Sequence, residues 1–300
     1  MDEYFRPLNK YYYTDQINDR HNIYHFSPQR KSLTKVDYLL SDWDIKAGKF
    51  VVIRNKNQKL GLADALTSEI VLPMEYGNLN FTDGFWIGSK NQNAGVLDSS
   101  FREIIPFQNH WLKLYDDHFF VKKLNNSNED IYDKKGKNLT KGQYDDFELV
   151  YNSGRILAKK YIRDNQNIIR ETQYYYLGEN GEIVVDLQKK GWEKPEPYSA
   201  GLAAVKDKRT QLYGFIDTKG EVVIPFNLLE VFKGFFDESG LAAVRTKDSK
   251  YVLIDKQQNV KKVFPGKIRW VDLKPKEVNN IKIDNQFYNS FGEPVTDKNE

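Results

Sequence analysis

Apolar and polar positions follow one another in short runs along most of this chain, and Asp or Asn, Gly and Pro separate the runs. The stretch YGFIDTKGEVVIP (213–225) shows the pattern: one apolar run ends at Ile216, four turn-type residues follow, and a second run begins. Asp217 and Gly220 at the first and fourth turn positions are typical of a type I turn, because the Asp side chain accepts local backbone hydrogen bonds and Gly tolerates positive φ. The pattern predicts a β-hairpin, closed by Pro225, which has no N–H with which to extend a ladder.

The same pattern recurs along the chain at intervals of 34 to 45 residues. The predicted turns start at Asp64, Asp98, Asp133, Gly178, Asp217, Asp255 and Asn289. About 15 residues before each hairpin, a Gly precedes another apolar run, and self-similarity at such a period is typical of repeat proteins. These positions are Gly48, Gly84, Gly154, Gly201 and Gly240, with His118 in the equivalent place. The residues GLAAV occur twice, from Gly201 and from Gly240.

Each repeat is therefore predicted to be a three-stranded antiparallel meander: strand A after the Gly, strand B before the turn, and strand C ending at Pro. A single meander cannot bury both of its faces, so neighbouring repeats should stack and share a core. We expect an all-β chain of about seven such repeats, stacked into an open twisted solenoid. A closed β-propeller is the alternative, although propeller blades usually carry four strands and the pattern indicates three strands and an irregular linker.

The repeat pattern also suggests boundaries. Residues 1–47 are expected to form an amino-terminal cap with a degenerate repeat and a turn near Ser27–Arg30. Residues 48–276 are expected to form the array, and residues 277–300 a partial repeat or carboxy-terminal cap.

The motif Gly-Leu-Ala-x-Val followed by Tyr-Gly-Phe-Ile-Asp-x-x-Gly-x-x-Val-Ile-Pro resembles the bacterial WG repeat, also called the KWG repeat. The resemblance is strongest at 201–225, extends over 48–110 and 240–265, and is weak at 118–190. The dipeptides Leu60-Gly61, Ala94-Gly95 and Tyr213-Gly214 stand where Trp-Gly is common in the family. Because the family consists mainly of tandem arrays without a common enzymatic activity, the resemblance implies a scaffold more than a reaction.

Composition supports strands and limits the chemistry. Aromatic residues make up 14% of the chain, and aromatic side chains favour pleated, half-buried surfaces. Cysteine is absent, which excludes disulfides, thiolate nucleophiles and Cys-ligated zinc. No apolar run is long enough for a membrane-spanning helix, and MDEYFRPLNKYYY at the amino terminus lacks the apolar core of a secretory signal. We expect a cytoplasmic protein, or a periplasmic one if a signal peptide has been removed.

No catalytic motif is present, so the sequence predicts neither an enzyme nor a cofactor or metal site. His21 and His25 are four residues apart, but in the strand predicted for NIYHF such residues lie about 13 Å apart, which does not favour a metal pair. His110 and His118 are interpreted as loop histidines. The acid pairs are interpreted as solvated linker residues: Asp42 and Asp44, Asp116 and Asp117, Asp145 and Asp146.

One charged pattern follows the repeats. Basic residues come directly after the apolar part of strand A: Arg54, Lys90, Lys122, Lys123, Lys159, Lys160, Lys206 and Arg245. If repeats stack in register, these cations line one edge, and such a stripe attracts an acidic partner although the net charge is only +3. The alternative is that Lys and Arg protect exposed strands from edge-to-edge aggregation. Aromatic residues do not interleave the stripe, so nucleic acid is a less favoured partner than an acidic protein.

Two tyrosines are further candidates. Tyr12 and Tyr175 are the middle residues of the runs Tyr11–Tyr13 and Tyr174–Tyr176. Alternation along a strand places a middle ring on the opposite face from its neighbours, so we expect these rings to be exposed and available to a partner.

The sequence thus predicts a monomeric, non-enzymatic scaffold that binds another protein through an acidic face on that partner. A bacterial immunity or inhibitor protein that sequesters a toxin or effector is one concrete form of this expectation. The alternative is a cell-envelope module that stacks exposed Tyr and Trp rings on glycan or peptidoglycan.

Overall fold

The computed structural model describes residues 5–17, 20–124, 128–148, 153–236, 239–271 and 281–295. These residues form antiparallel β-sheets and a single helical turn, and none of the sheets closes into a barrel, so the all-β prediction is confirmed. Among them no helix is long and apolar enough to span a membrane. The chain divides into two compact units, 1–113 with 121–127 and 134–137, and 114–120 with 128–133 and 138–300. The predicted boundary at 276–277 lies outside the described residues.

The first unit begins with a four-stranded sheet that contains β1 (Phe5–Pro7), β2 (Tyr12–Ile17), β3 (Arg20–Ser27) and β4 (Ser32–Lys35) in that order. The next strands also pair in chain order: β5 (Leu39–Leu40), β6 (Phe50–Arg54), β7 (Leu60–Asp64), β8 (Ile70–Thr82), β9 (Phe85–Lys90), β10 (Asn93–Leu97) and β11 (Glu103–Tyr115). They are followed along the chain by β12 (His118–Lys123) and β13 (Glu129–Asp133).

Three sheets follow in the second unit. The first contains β14 (Asp146–Phe147), β15 (Ile156–Arg163), β16 (Ile169–Leu177) and β17 (Ile183–Asp186), and the helical turn α1 (Leu187–Lys190) comes after it. The second contains β18 (Trp192–Glu193), β19 (Leu202–Asp207), β20 (Tyr213–Asp217), β21 (Val222–Phe235), β22 (Ala242–Thr246), β23 (Tyr251–Ile254) and β24 (Val260–Val263). The last contains β25 (Ile268–Val271), β26 (Ile281–Ile283), β27 (Gln286–Tyr288) and β28 (Pro294–Val295).

The predicted hairpin turn at Asp217 is confirmed in atomic detail. The backbone N–H of Gly220 donates to the carbonyl of Asp217 at 2.9 Å, and the N–H of Asp217 donates to the carbonyl of Glu221 at 2.9 Å. The side-chain Oδ1 of Asp217 also accepts from the N–H groups of Lys219 and Glu221. The same set of bonds forms at Asp98, Asp255 and Asn289.

Two predicted repeat positions are also explained. Gly201 and Gly240, which precede the two GLAAV strands, adopt φ of 84° and 65°. A side chain is strained in this left-handed region, so glycine suits the start of strand A.

The prediction that Pro225 closes strand C is wrong. Strand β21 continues through it to Phe235, and β8 and β11 likewise continue through Pro73 and Pro106. At Pro225 the register changes from Phe215 opposite Ile224 to Tyr213 opposite Leu228, so four steps along β21 match two along β20. Proline is tolerated at such a bulge because the local ladder is already interrupted.

The unit of the fold has four strands rather than three, and the expected irregular linker is itself a strand. The first part of β21 pairs with β20, whereas its second part, from Leu228 onward, pairs with β22. Strand β8 is shared in the same way between β7 and β9. Elsewhere a separate short strand takes this place before strand A, as β5, β14 and β18 do. We call each such four-stranded set a group. The first part of a long strand such as β8 or β21 is the last strand of one group, and its second part is the first strand of the next.

The glycine of the Trp-Gly position lies against the bulge. A Cβ added at Gly214 would stand 2.7 Å from the carbonyl oxygen of Ile224 and 3.1 Å from the ring of Phe226. At Gly61 it would stand 2.5 Å from the carbonyl oxygen of Leu72, and at Gly95 2.9 Å from that of Ile105. The absence of a side chain therefore lets strand C bulge onto strand B.

Successive groups share hydrophobic cores, as the sequence predicted. Leu202 and Ala204 of β19 pack with Phe235, Ala242 and Val244 of the following group. The alternate residues Ala203 and Val205 pack on the other face, with Leu157, Tyr176 and Val185 of the preceding group. The first unit repeats the arrangement, because Val51 and Ile53 of β6 enter one core and Val52 enters the next.

Replacing the packed glycine should destabilise the protein more than replacing an unpacked one. We expect Gly214→Ala to lower the free energy of unfolding by about 3 kcal/mol, because the bulge must move to admit the methyl group. Gly240→Ala is the matched control, since its Cβ would meet nothing within 4 Å and it has only a positive φ to accommodate; it should cost about 1 kcal/mol. Urea denaturation measures both, and equal losses would contradict the packing role of Gly214.

The turn carboxylates should make stability decline in acid. Backbone hydrogen bonds, first that from Glu221, lower the pKa of Asp217 from its usual 3.8, and the Asn259 side chain with Lys261 lowers that of Asp255. A depressed folded-state pKa contributes stability above the unfolded value, and this is lost as the pH falls below about 4.

The double variant Asp217→Asn, Asp255→Asn keeps the Oδ1 atom that accepts from the backbone N–H groups of each turn, as Asn289 does naturally, but cannot titrate. It also loses Oδ2 of Asp255, which binds Asn259 and Lys261. Its urea midpoint should fall less between neutral and acidic pH than that of the unmodified protein. Parallel acid dependence in the two proteins would show that these carboxylates contribute nothing to it.

Candidate interaction surface

The predicted cations all lie on A strands, one or two residues after the buried part of the strand. In β6, β19 and β22 the buried residues Ile53, Val205 and Val244 are followed by Arg54, Lys206 and Arg245. Lys90 ends β9, and Lys159 follows the buried Ala158 in β15. We call Arg54, Lys90, Lys159, Lys206 and Arg245 the cation row.

Arg245 is held between its two neighbouring strands. In register it faces Glu230 on β21 and Tyr251 on β23. Its Nη1 lies 3.8 Å from Oε2 of Glu230, and its guanidinium carbon lies 5.5 Å from the centre of the Tyr251 ring. Its Nη2 donates to Ser249 Oγ at 3.2 Å.

Lys206 repeats this arrangement one group earlier. It faces Glu193 on β18 and Tyr213 on β20, and its Nζ lies 5.6 Å from the centre of the Tyr213 ring. Nζ donates to Oε1 of Gln211 at 2.8 Å, and Nε2 of Gln211 donates to Oε1 of Glu193 at 3.2 Å. Both cations therefore lie between an acid on the preceding strand and an aromatic ring on the following strand, with Gln211 linking Lys206 to Glu193.

Lys159 and Lys90 also have acidic neighbours. The Lys159 ammonium donates to Asp146 at 3.0 Å and to Glu148 at 2.5 Å. Burial alone would lower the pKa of Lys159, but these carboxylates hold it above its usual value. Lys90 forms an ion pair with Glu75, and its Nζ lies 5.9 Å from the centre of the Tyr76 ring.

Arg54 differs from the rest of the row. The residue opposite it on the preceding strand is Leu39, and the residue opposite it on β7 is Leu60. Its Nη1 donates to Oε1 of Gln58 at 2.7 Å, while its Nε is buried and has no hydrogen-bond partner among the described residues. No carboxylate of the described chain lies within ion-pair distance of it.

Arg54 also lines two open grooves in the first unit. One has a volume of about 820 Å³ and is also lined by Asn22, Lys35, Asp37, Tyr38 and Lys56. The other has a volume of about 430 Å³ and is also lined by Arg6, Pro7, Leu8, Leu40 and Trp43. Arg54, Ile23 and Leu39 line both, and we call the pair the Arg54 groove.

Of the remaining predicted cations, Lys122 directly follows the buried Val121 of β12, and Lys123 and Lys160 each lie one residue further along their strands. Lys160 is exposed, and alternation along β15 directs it to the opposite face from Lys159. Lys122 and Lys123 are half-buried at the end of β12.

The expectation that Tyr12 is exposed is wrong. Tyr12 is fully buried, its hydroxyl lies 3.0 Å from that of Tyr38, and burial raises its pKa above the usual range. The middle ring of the run is thus the one that enters the core, and Tyr11 packs against the same core. Tyr175 is half-buried, with its ring centre 5.6 Å from that of Tyr144. Trp43, which the sequence did not single out, is 61% exposed.

The other polar candidates have local roles. His25 is buried on β3, and its Nε2 lies 3.1 Å from the carbonyl oxygen of Ala65, while the side chain of His21 is outside the described part. Asp42 and Asp44 bind Lys46, and Asp145 accepts from the N–H of Tyr161. Within the described ranges, no group of three or more His, Asp or Glu residues is placed to hold a metal ion.

Comparison with known proteins confirms the repeat. Residues 213–251, from β20 to the start of β23, match the family model described as WG containing repeat. No curated protein matches this chain.

Among solved structures, the chain is similar to the computationally designed protein Ika8, with 9% identity, a TM-score of 0.35, and coverage of 97% of this chain and 93% of that one. It is also similar to BamB from Moraxella catarrhalis, with 11% identity, a TM-score of 0.26, and coverage of 96% and 93%. Hsv2 from Kluyveromyces lactis has 8% identity and a TM-score of 0.23 over 84% of this chain and 72% of that one.

Proposed function

We propose that this chain is a non-catalytic scaffold that binds another protein through an acidic face on that partner. The observation that supports the proposal is the cation row, in which one position of the repeat is basic in group after group. Four of its five cations are held by neighbouring polar or aromatic side chains, as Arg245 is by Glu230 and Tyr251, whereas Arg54 lies opposite Leu39 and Leu60.

Held cations suit recognition because binding costs them less entropy. Immobilising a flexible side chain at an interface costs about 0.5–1.5 kcal/mol, and a Lys or Arg that is already fixed avoids much of this cost. The acids beside the row reduce its field, so it should select a partner by the positions of its charges more than by long-range attraction. Sequestration of a toxin or effector by an immunity protein is one form that this function could take.

Glycan binding is the second candidate, and the exposed Trp43 ring favours it. The burial of Tyr12 removes one of the rings on which this alternative relied. A neutral sugar would not need the cation row, so the two candidates respond differently to salt and to substitution.

For the arrangement of the groups, we propose the closed propeller rather than the open solenoid. The support is the strand count, since four strands per group are typical of propeller blades, whereas a three-stranded repeat was the reason to favour the open stack.

Small-angle X-ray scattering of the full chain distinguishes the two arrangements. A closed ring should give a compact pair-distance distribution, with a radius of gyration near the roughly 19 Å expected of a compact chain of this length. A skewed distribution with a long tail would instead indicate the open stack.

Partner capture tests the proposed function. The immobilised full chain is compared with the triple variant Lys90→Gln, Lys206→Gln, Arg245→Gln and with the control Lys31→Gln, Lys219→Gln, Lys267→Gln, which removes three exposed cations outside the row. Proteins captured from lysate at low salt should be acidic, should be retained by the control and should be lost from the row variant. Charge-dependent capture should weaken as salt shortens the screening length to below about 8 Å. Equal capture by both variants, or capture that only free sugar removes, would contradict the proposal.

A further inference from the structure

We propose that the Arg54 groove binds a peptide segment of the partner in which a carboxylate side chain is adjacent to a bulky apolar one. This inference rests on the proposed scaffold function, since it assigns one site and one kind of ligand to it. Three observations carry it: the strand register at Arg54, the charges around the groove, and its apolar walls.

The register leaves Arg54 without the acid that its counterparts have. The preceding strand places Glu230 opposite Arg245, Glu193 opposite Lys206 and Asp146 opposite Lys159. Opposite Arg54 it places Leu39. A guanidinium next to Leu rather than Glu keeps its capacity to bind a carboxylate with two parallel hydrogen bonds, which is the arrangement that Arg favours.

The guanidinium also has an unused donor. Its Nε is buried and has no hydrogen-bond partner in the described part of the chain, as is also true of Arg245 Nε, and its Nη1 donates to Gln58. A buried donor without a partner is costly, and a ligand oxygen that accepts from it removes that cost.

The charges around Arg54 favour an anion. Arg6, Lys35 and Lys56 line the groove and are exposed, whereas Asp37 is the one acid among its lining residues. Four cations against one carboxylate make the local potential positive although the whole chain is nearly neutral.

The walls of the groove favour an apolar side chain beside that anion. Leu39 and Ile23 form the part shared by both grooves, and the 61% exposed Trp43 lines the smaller one. The loop of Trp43 is held in place, because Nδ2 of Asn9 donates to the Trp43 carbonyl at 2.8 Å. Trp and Arg are both enriched at the energetic centres of protein interfaces, and both line the smaller groove here. These features together fit a peptide better than a neutral glycan or a nucleic acid, which would need several stacking rings.

The test starts from a phage library of random peptides selected on the immobilised full chain, with counter-selection on Arg54→Met. Met preserves an unbranched apolar stem and removes the charge. Recovered peptides should be enriched in Asp or Glu next to Trp, Phe, Leu or Ile. Fluorescence anisotropy then measures one such peptide and its amide analogue, in which Asn and Gln replace the acids.

We expect Arg54→Met, and the amide analogue, to weaken binding at least about tenfold, because each leaves a charge unpaired at a desolvated contact. The decisive pair is Leu39→Glu and Leu39→Gln, which have nearly the same shape. Leu39→Glu restores the acid found in the other groups and should abolish binding, whereas Leu39→Gln should weaken it only severalfold. Arg102→Met, which removes a cation paired with Asp98 outside both the cation row and the groove, should leave binding within about twofold. Circular dichroism and thermal melting confirm that each variant is folded.

The outcomes separate this inference from the proposed function. Two results would overturn the assignment of the Arg54 groove as the peptide site without contradicting the proposed scaffold function. One is that acidic peptides bind Arg54→Met as tightly as the unmodified protein, and the other is that they bind Leu39→Glu and Leu39→Gln equally. Binding of chitin oligosaccharide that depends on Trp43 but not on Arg54 would overturn the peptide assignment in favour of a glycan. If no acidic peptide is recovered and the cation-row variant also retains its captured proteins, the scaffold function fails together with the groove.

Discussion

The constraint on which this structure depends is that strand A is buried on both faces. Leu202 and Ala204 enter one core, and Ala203 and Val205 enter another. A strand of this kind cannot be satisfied by its own sheet, so each group needs a neighbour on either side. That requirement explains the small side chains of the repeated GLAAV strands, because groups approach closely over them on both faces. Ala204 and Ala242 share one core, whereas Ala203 and Ala243 enter the cores on either side of it. The repeated sequence is thus a packing requirement that each group meets with the same residues.

Much of the fold could be predicted from local chemistry. The Asp217 turn follows from local hydrogen bonding, the glycines before strand A from their φ preference, and the sharing of cores from alternation along the strand. All three can be recognised in short stretches of sequence. The fourth strand could not be predicted, because it lies in stretches that lack regular alternation and, in β8 and β21, continues past a proline. The bulge that tolerates Pro225 involves Gly214 on a different strand. A local pattern does not record such a pairing.

The candidate interaction surface was also only partly predictable from local sequence patterns. The sequence placed every cation of the row correctly on strand A, since a basic residue after an apolar run is a local feature. It could not show that Glu230 lies opposite Arg245 whereas Leu39 lies opposite Arg54. Glu230 is on a strand that had been interpreted as a linker, and Leu39 is in the predicted amino-terminal cap. The prediction that Tyr12 is exposed was wrong for a related reason, because alternation along a strand does not say which of its two faces is buried. The strand register identified Leu39 as the residue opposite Arg54, and Trp43 became a candidate because it lines the same groove.

Hydrogen exchange of paired core variants tests the shared-core account most directly. Phe215 and Ile216 are adjacent on β20 but enter opposite cores, Phe215 with Val244, Val252 and Ile254, and Ile216 with Leu157, Tyr176 and Val185. The account predicts that Phe215→Ala speeds amide exchange in the following group, at 242–254, and that Ile216→Ala speeds it in the preceding group, at 156–186. If both variants instead changed exchange only within β18 to β21, or changed it identically everywhere, the groups would not be held together by cores shared between neighbours.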